Sequence, residues 1–360
     1  MAAIPFTRGA PSLDIIDTEG LVEATQQAFA ADPGGTCGYG TAAGYLPLRE
    51  WIAEQHDVPV EQVLVTNGSM QADAFLFESL VSPGDAVVVE APTYDRTLLN
   101  LQQRGGVVHP IELHTDGIDT DALAALLDGG VRPTLAHVIP NFQNPAGYTL
   151  SAAKRARLLD LAARHEFTLF EDDPYISIRF EGDPLPTMLS QDTADRVVYA
   201  SSFSKTVCPG IRVGYLVGPR AVIDGITKLA TTTYISPNMV AQSIVNQFCR
   251  SGRLDKSIET VRAALKDRRD ALVTALRREL PTAEFTAPQG GYFMWVRLPG
   301  VSVDALAAVA AEHGVAFVKG SDFMVDGGHD SVRLAYSGLS SEQIDDGITR
   351  LATAVRSLDA

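Results

Sequence analysis

Short apolar runs and longer amphipathic stretches alternate along the first 250 residues of the chain. The runs EQVLVTN (61–67), DAVVVEA (85–91), TLAHVIP (134–140), FTLFED (167–172), RVVYASS (196–202) and RVGYLVG (212–218) are β-branched or aromatic and nearly continuous in apolar residues. A strand buried on both faces reads this way. Between them, SMQADAFLFESLV (69–81) has helical spacing. SAAKRARLLDLAARH (151–165) opens on a serine N-cap and keeps Leu158, Leu159, Ala162 and Ala163 on one side. The alternation predicts an α/β fold, a three-layer sandwich whose central sheet is mostly parallel.

From about residue 251 the pattern changes. LDKSIETVRAALKDRRDALVTALRREL (254–280) is one long, charged, amphipathic helix. A strand GGYFMWVRL (290–298), a helix (302–313), a short strand GVAFV (314–318), a strand SVRLAYS (331–337) and a terminal helix opening at Ser340 follow. Fewer, more separated strands predict a smaller α+β domain. The expected division is 36–250 for the large domain, and 1–35 with 251–360 for the small one. The first 35 residues are Pro/Gly-rich at their start and compatible with packing on either domain.

Composition narrows the partners. The 360 residues carry 29 basic and 44 acidic side chains, a formal charge of −15. Such a chain lacks the positive field that nucleic acid or an anionic membrane requires, so neither partner is expected. An anionic ligand would need a local cluster of donors. Cys37, Cys208 and Cys249 form no CxxC pair, so neither a disulfide framework nor a metal site is expected. Reduced thiols fit a cytoplasmic protein. The opening MAAIPFTRGAPSLDIID lacks the charged and apolar regions of a secretory leader, and no apolar run is long enough for a membrane span.

The candidate chemistry lies where apolar runs end. SSFSKTVCPGIRVGY (201–215) follows a buried-strand pattern, and open α/β sheets bind ligands at the carboxyl ends of strands. It offers the hydroxyls of Ser202 and Ser204 and the guanidinium of Arg212, which suit a phosphate, and the amine of Lys205, a nucleophile when deprotonated. Of six lysines, Lys154, Lys228, Lys256 and Lys266 lie on charged helical stretches, and only Lys205 and Lys319 sit in small-residue loops beside buried strands. EDDPY (171–175) presents Asp172 and Tyr175 three residues apart. It is either a plain turn before Pro174 or a carboxylate and a phenol facing one planar ligand. A carboxylate beside a pyridine nitrogen keeps that nitrogen protonated, as an electron-sink cofactor requires.

Three further segments add donors. PNFQNPAG (140–147) is either a plain turn or a turn whose Asn144 donates to a phenolate oxygen. In VTNGSMQA (65–72), Gly68 and Ser69 open a helix, either as a plain serine cap or as an anion site made by its free N–H groups, without a Walker or dinucleotide glycine pattern. SVRLAYS (331–337) sets Arg333 in a strand-like run, where a charge either faces water or awaits a carboxylate.

Together these five segments resemble the fold-type I pyridoxal 5′-phosphate (PLP) enzymes, the aspartate aminotransferase superfamily. They look most like the branch of 2-aminoadipate and kynurenine aminotransferases, over roughly residues 36–357. The resemblance implies a PLP-dependent aminotransferase exchanging the amino group between an L-amino acid and a 2-oxo acid. It implies that Lys205 forms the internal aldimine and shuttles the proton, and that Asp172 pairs with the pyridinium nitrogen. Tyr175 and Asn144 would contact the 3′-oxygen, and Tyr94, in APTYD, would stack on the ring. Ser69, Ser202 and Arg212 would hold the phosphate with the backbone N–H of Met70, beside Ser204, and Arg333 would take the substrate carboxylate with Asn144 nearby. Tyr39, in GYGTAAGYLPLRE, would reach the phosphate of a second subunit, implying a homodimer with shared active sites.

Three positions depart from that pattern. Met70 stands where the branch often has a polar residue. Lys319, in FVKGSDF, replaces a common proline, as a substrate-side cation or a solvated side chain. The segment before GYG is short, and Arg8 within it either meets a distal carboxylate or lies on the surface. Rival readings are another PLP reaction at the α- or β-carbon, a ligand-sensing regulatory domain, or an unrelated dinucleotide oxidoreductase.

Overall fold

A computed structural model of the chain describes residues 3–358. Its central sheet has eight strands in the order Val63–Thr66, Gly214–Val217, Val197–Ser202, Thr168–Asp172, Pro133–Val138, Ala86–Ala91, Val107–His114 and Gly117–Ile118. Five neighbouring strands, 197–202 through 107–114, run parallel. Strand 214–217 is antiparallel to both its neighbours, and 117–118 closes the far edge as a hairpin. The mostly parallel sheet is therefore as expected, with the 212–218 run entering it reversed.

The period of two along each strand sorts the residues between the two faces. Val87, Val89, Leu135, Phe170, Val198 and Ala200 pack under helices Ser69–Leu80 and Arg220–Tyr234. Val88, Ala136, Val138, Leu169 and Val197 pack on the other face with Thr120–Asp128 and Ala152–His165. Val63, Val65, Tyr199 and Val217 continue that face under Leu46–His56 and Met239–Arg250. These are the three layers.

The second core is built on a three-stranded antiparallel sheet, Phe293–Arg297, Ser331–Ala335 and Val318–Lys319, with Ser331–Ala335 in the middle. Helices Arg253–Glu279, Val303–Glu312 and Ser341–Leu358 cover it. The expected single strand 314–318 divides. Val315–Ala316 pairs with the N-terminal Ile4–Pro5, whereas Val318–Lys319 pairs with Ser331–Ala335. The first 35 residues also divide: the Ile4–Pro5 strand joins the small core, while helix Thr18–Ala31 packs on Met239–Arg250 of the large sheet's helical layer. Strand 107–114 was not expected. Its half-exposed alternation and Pro110 mark a strand near the sheet edge rather than a buried run. No helix among the described residues is long and apolar enough to cross a membrane.

Candidate active site

A cavity of about 610 Å³ opens at the carboxyl ends of the parallel strands, against the small core. Six residues after the Pro133–Val138 strand ends, and at or just after the ends of 168–172 and 197–202, the chain delivers Asn144, Asp172, Tyr175, Ser202, Ser204 and Lys205 to it. Strand parity explains the selection. Asp172 and Ser202 lie in register with Phe170 and Ala200, on the face under helix 69–80, whereas Ser201 turns away and donates to the Asp173 carbonyl at 2.9 Å.

One end of the cavity is a cradle of donors. Ser69 and Met70 begin a helix, so their N–H groups are free for an anion. Ser202 Oγ bonds Ser204 Oγ at 2.9 Å, and Arg212 Nη1 donates to Ser204 Oγ at 3.3 Å. Arg212 Nη2 donates to the Asn67 carbonyl at 3.4 Å. Two glycines permit this closeness. Gly68 has φ +81°, and a Cβ there would sit 2.2 Å from Arg212 Nη2. A Cβ on Gly214 would sit 2.5 Å from the Ser69 amide nitrogen.

Lys205 is the buried amine at the centre. Burial, together with the guanidinium groups of Arg333 and Arg212, pushes it down to about 8, against the opposing pull of Asp172. Its Nζ donates to the Gly9 carbonyl at 2.6 Å and lies 5.1 Å from the Tyr292 ring centre and 5.7 Å from that of Tyr175. Burial pushes the Tyr175 phenol well above its ordinary range, so it holds its proton. Burial likewise raises Tyr94 to about 12; its hydroxyl donates to Met70 Sδ at 3.5 Å. Asp172 is 5 % exposed and its Oδ1 has no hydrogen-bond partner, while Oδ2 lies 3.4 Å from His137 Nε2.

Opposite the cradle, Arg333 is 7 % exposed. Phe293 and Phe323 sandwich its guanidinium at 4.4 and 4.7 Å. Nη1 donates to Asn144 Oδ1 at 3.0 Å and Nη2 to the Thr7 carbonyl at 2.6 Å. The charge in this strand does not face water; it points into the cavity with buried Nε unpaired.

Residues 4–351 match the family model of class I and II aminotransferases. An aromatic-amino-acid aminotransferase of Thermococcus litoralis is 32 % identical over 366 residues, covering 98 % of this chain and 88 % of that protein. The chain belongs to the class I and II aminotransferases. Its structural relatives agree. An α-aminoadipate aminotransferase from Thermus thermophilus, complexed with N-(5′-phosphopyridoxyl)-L-leucine, superposes with a TM-score of 0.94 at 31 % identity, over 99 % of this chain and 92 % of that one. A kynurenine aminotransferase from Pyrococcus horikoshii, in complex with PMP, superposes with a TM-score of 0.95 at 31 % identity over the same shares. The protein is thus a fold-type I transaminase of the branch expected from its motifs, and its cofactor is PLP.

The residues of this aminotransferase fit that cofactor. The unpaired Asp172 Oδ1 is a buried acceptor for a ring N–H. The Ser69–Arg212 cradle suits a phosphate, and the Lys205 amine between them gives up its proton to become a nucleophile more readily than an ordinary lysine. Ser69, Met70, Tyr94, Asn144, Asp172, Tyr175, Ser202, Ser204, Lys205, Arg212 and Arg333 all line the one cavity. Tyr39 does not: it lies outside it, 90 % exposed. Arg8 borders the cavity, whereas Lys319 is on the surface, bonded to Asp304 at 2.7 Å. Asp73, His137 and Tyr292 were not anticipated. Asp73 and His137 had a visible signal, a polar residue on the apolar side of helix 69–80 and an imidazole inside the apolar run 134–140.

Proposed function

We propose that Lys205 is the amine that bonds PLP in this aminotransferase and the base that moves the substrate's α-proton. Bound PLP supplies a protonated, conjugated ring into which the electrons of a substrate Cα–H bond can be delocalised. Asp172 would hold the positive charge on the ring nitrogen through its unpaired Oδ1. Tyr175 and Asn144 would contact the ring oxygen, and Tyr94 would stack on the ring. Ser69, Ser202, Ser204, Arg212 and the Met70 N–H would hold the phosphate. Arg333 takes the α-carboxylate of an L-amino acid, and later of a 2-oxo acid, by its two-pronged fork. That pairing orients Cα towards Lys205 Nζ, which accepts the proton once it is free.

The observation that carries this reading is the single cavity in which Lys205, pushed down to about 8, lies between the Arg212 cradle and Arg333. Tyr39, exposed in this chain, supports a homodimer in which it completes the partner's phosphate site. Three unpaired cysteines suit operation in the cytoplasm.

The test uses holoenzyme. An amino donor alone should bleach the visible band of the lysine-bound cofactor, and a 2-oxo acid should restore it. Lys205→Ala should lack that band and all turnover while keeping its far-UV circular dichroism. A lyase or decarboxylase would release product from the donor alone without needing the 2-oxo acid, which would reject transamination as the main reaction.

A further inference from the structure

The floor of the cavity holds a second carboxyl group that the reading above does not use. Asp73 stands on helix 69–80, one turn beyond Ser69, and borders the same cavity at 3 % exposure. Its Oδ1 has no hydrogen-bond partner. No lysine, arginine or histidine among the described residues makes an ion pair with it. Its electrostatic neighbour is Asp172. Strand parity accounts for the meeting: Asp172 and His137 both lie on the sheet face that helix 69–80 covers.

Two buried carboxylates in one floor repel each other unless a cation lies between them. Lys205, which shares the cavity, donates to the Gly9 carbonyl and pairs with neither carboxylate. His137 is the basic group in contact with Asp172, and it is fully buried, ringed by Phe77 and Phe170 at 6.3 and 5.2 Å. An imidazolium has two N–H groups to satisfy. Neither ring nitrogen of His137 has a hydrogen-bond partner, and only Nε2 approaches a carboxylate. Among the described residues no cation pairs with Asp73 to offset a second negative charge.

We propose that Asp73 is held as an undissociated carboxylic acid, a positioning residue whose O–H is the donor available to the Asp172 carboxylate. The floor then presents one negative charge to the cofactor ring, matched to one protonated ring nitrogen. Burial, with the charge of Asp172 adding to it, pushes the Asp73 carboxyl well above the usual carboxylate range, which agrees. This inference rests on Asp172 being the ring-nitrogen partner.

Infrared difference spectra of wild type minus Asp73→Asn, recorded at neutral pH before and after PLP addition, read the state of this group directly. Glu90, Glu171 and Asp173 are present in both proteins and cancel. The difference should contain the C=O stretch of a protonated carboxyl. Symmetric and antisymmetric carboxylate bands in the difference instead would overturn the proposal. A second measurement tests the positioning role through PLP retention on dilution of holoenzyme. Asp73→Asn keeps a donor, while Asp73→Leu leaves the buried Asp172 acceptor without one, so the leucine variant should lose PLP about tenfold more readily than the asparagine variant. Equal retention in the two variants would reduce Asp73 to a space-filler and refute its role. The infrared result stands whether or not Lys205 bonds the cofactor, whereas a wild type without the visible band would sink the transamination reading alone.

Discussion

Removing the Arg333 guanidinium should separate substrate binding from cofactor binding. In Arg333→Ala the fork that bonds Asn144 Oδ1 at 3.0 Å and the Thr7 carbonyl at 2.6 Å is gone, and the gap between Phe293 and Phe323 is left open. A substrate carboxylate arriving at this site takes the bond now made to Thr7 and the unpaired Nε, two charge-assisted hydrogen bonds in a dry setting. At about 1.5–3 kcal/mol for each such bond, and allowing for water that enters the vacated space, the loss is about 3–4 kcal/mol. That is a fall of ~10²–10³ in kcat/KM, since each 1.4 kcal/mol is a factor of ten. Arg333→Lys keeps the charge as a single point donor and should recover about tenfold of it. Single-turnover bleaching of the visible band against donor concentration gives the binding effect, and titration of apoenzyme with PLP gives the cofactor affinity. If the alanine variant bound amino acids normally but lost PLP, the assignment of this arginine would be wrong.

Other perturbations test other parts of the site. The neutral amine of Lys205 is the reactive form, and its value of about 8 lies below the ordinary lysine value, so the sign is that capture accelerates with rising pH. PLP uptake by apoenzyme should rise about tenfold per pH unit below about pH 8 and level off above it; a rate still climbing at pH 10 would mean an unperturbed lysine. Gly68→Ala forces a side chain into φ +81°, 2.2 Å from Arg212 Nη2, and should weaken PLP binding at least about tenfold, with about 1–3 kcal/mol of backbone strain visible as a lower Tm. Arg155, 1 % exposed, donates to the carbonyls of Leu150, Pro186 and Pro140 and to Asn141 Oδ1. Arg155→Met should cost about 3–5 kcal/mol in urea unfolding, because Glu171 and these acceptors lose their buried cation.

Much of this protein was legible in its sequence. The layered fold followed from buried-strand runs separated by amphipathic ones, since the period of burial is a local property of the chain. Lys205, Asp172, Asn144 and Ser69 were legible because each closely follows a buried run, and a parallel sheet gathers the carboxyl ends of its strands at one edge. The reversed strand 214–217 was not legible, because a fully buried run looks the same in either direction. Arg333 was legible as an anomaly but not as a direction: only the packing of Phe293 and Phe323 decided that it turns inward. The bond from Lys205 to the carbonyl of Gly9 joins residues 196 apart and uses a backbone atom that every residue carries, so no pattern of side chains announces it. Asp73 and His137 show the same divide. Periodicity marks both as buried, but a buried face borders either packed side chains or a cavity, and the tertiary packing of helix 69–80 over the strand ends set them beside Asp172.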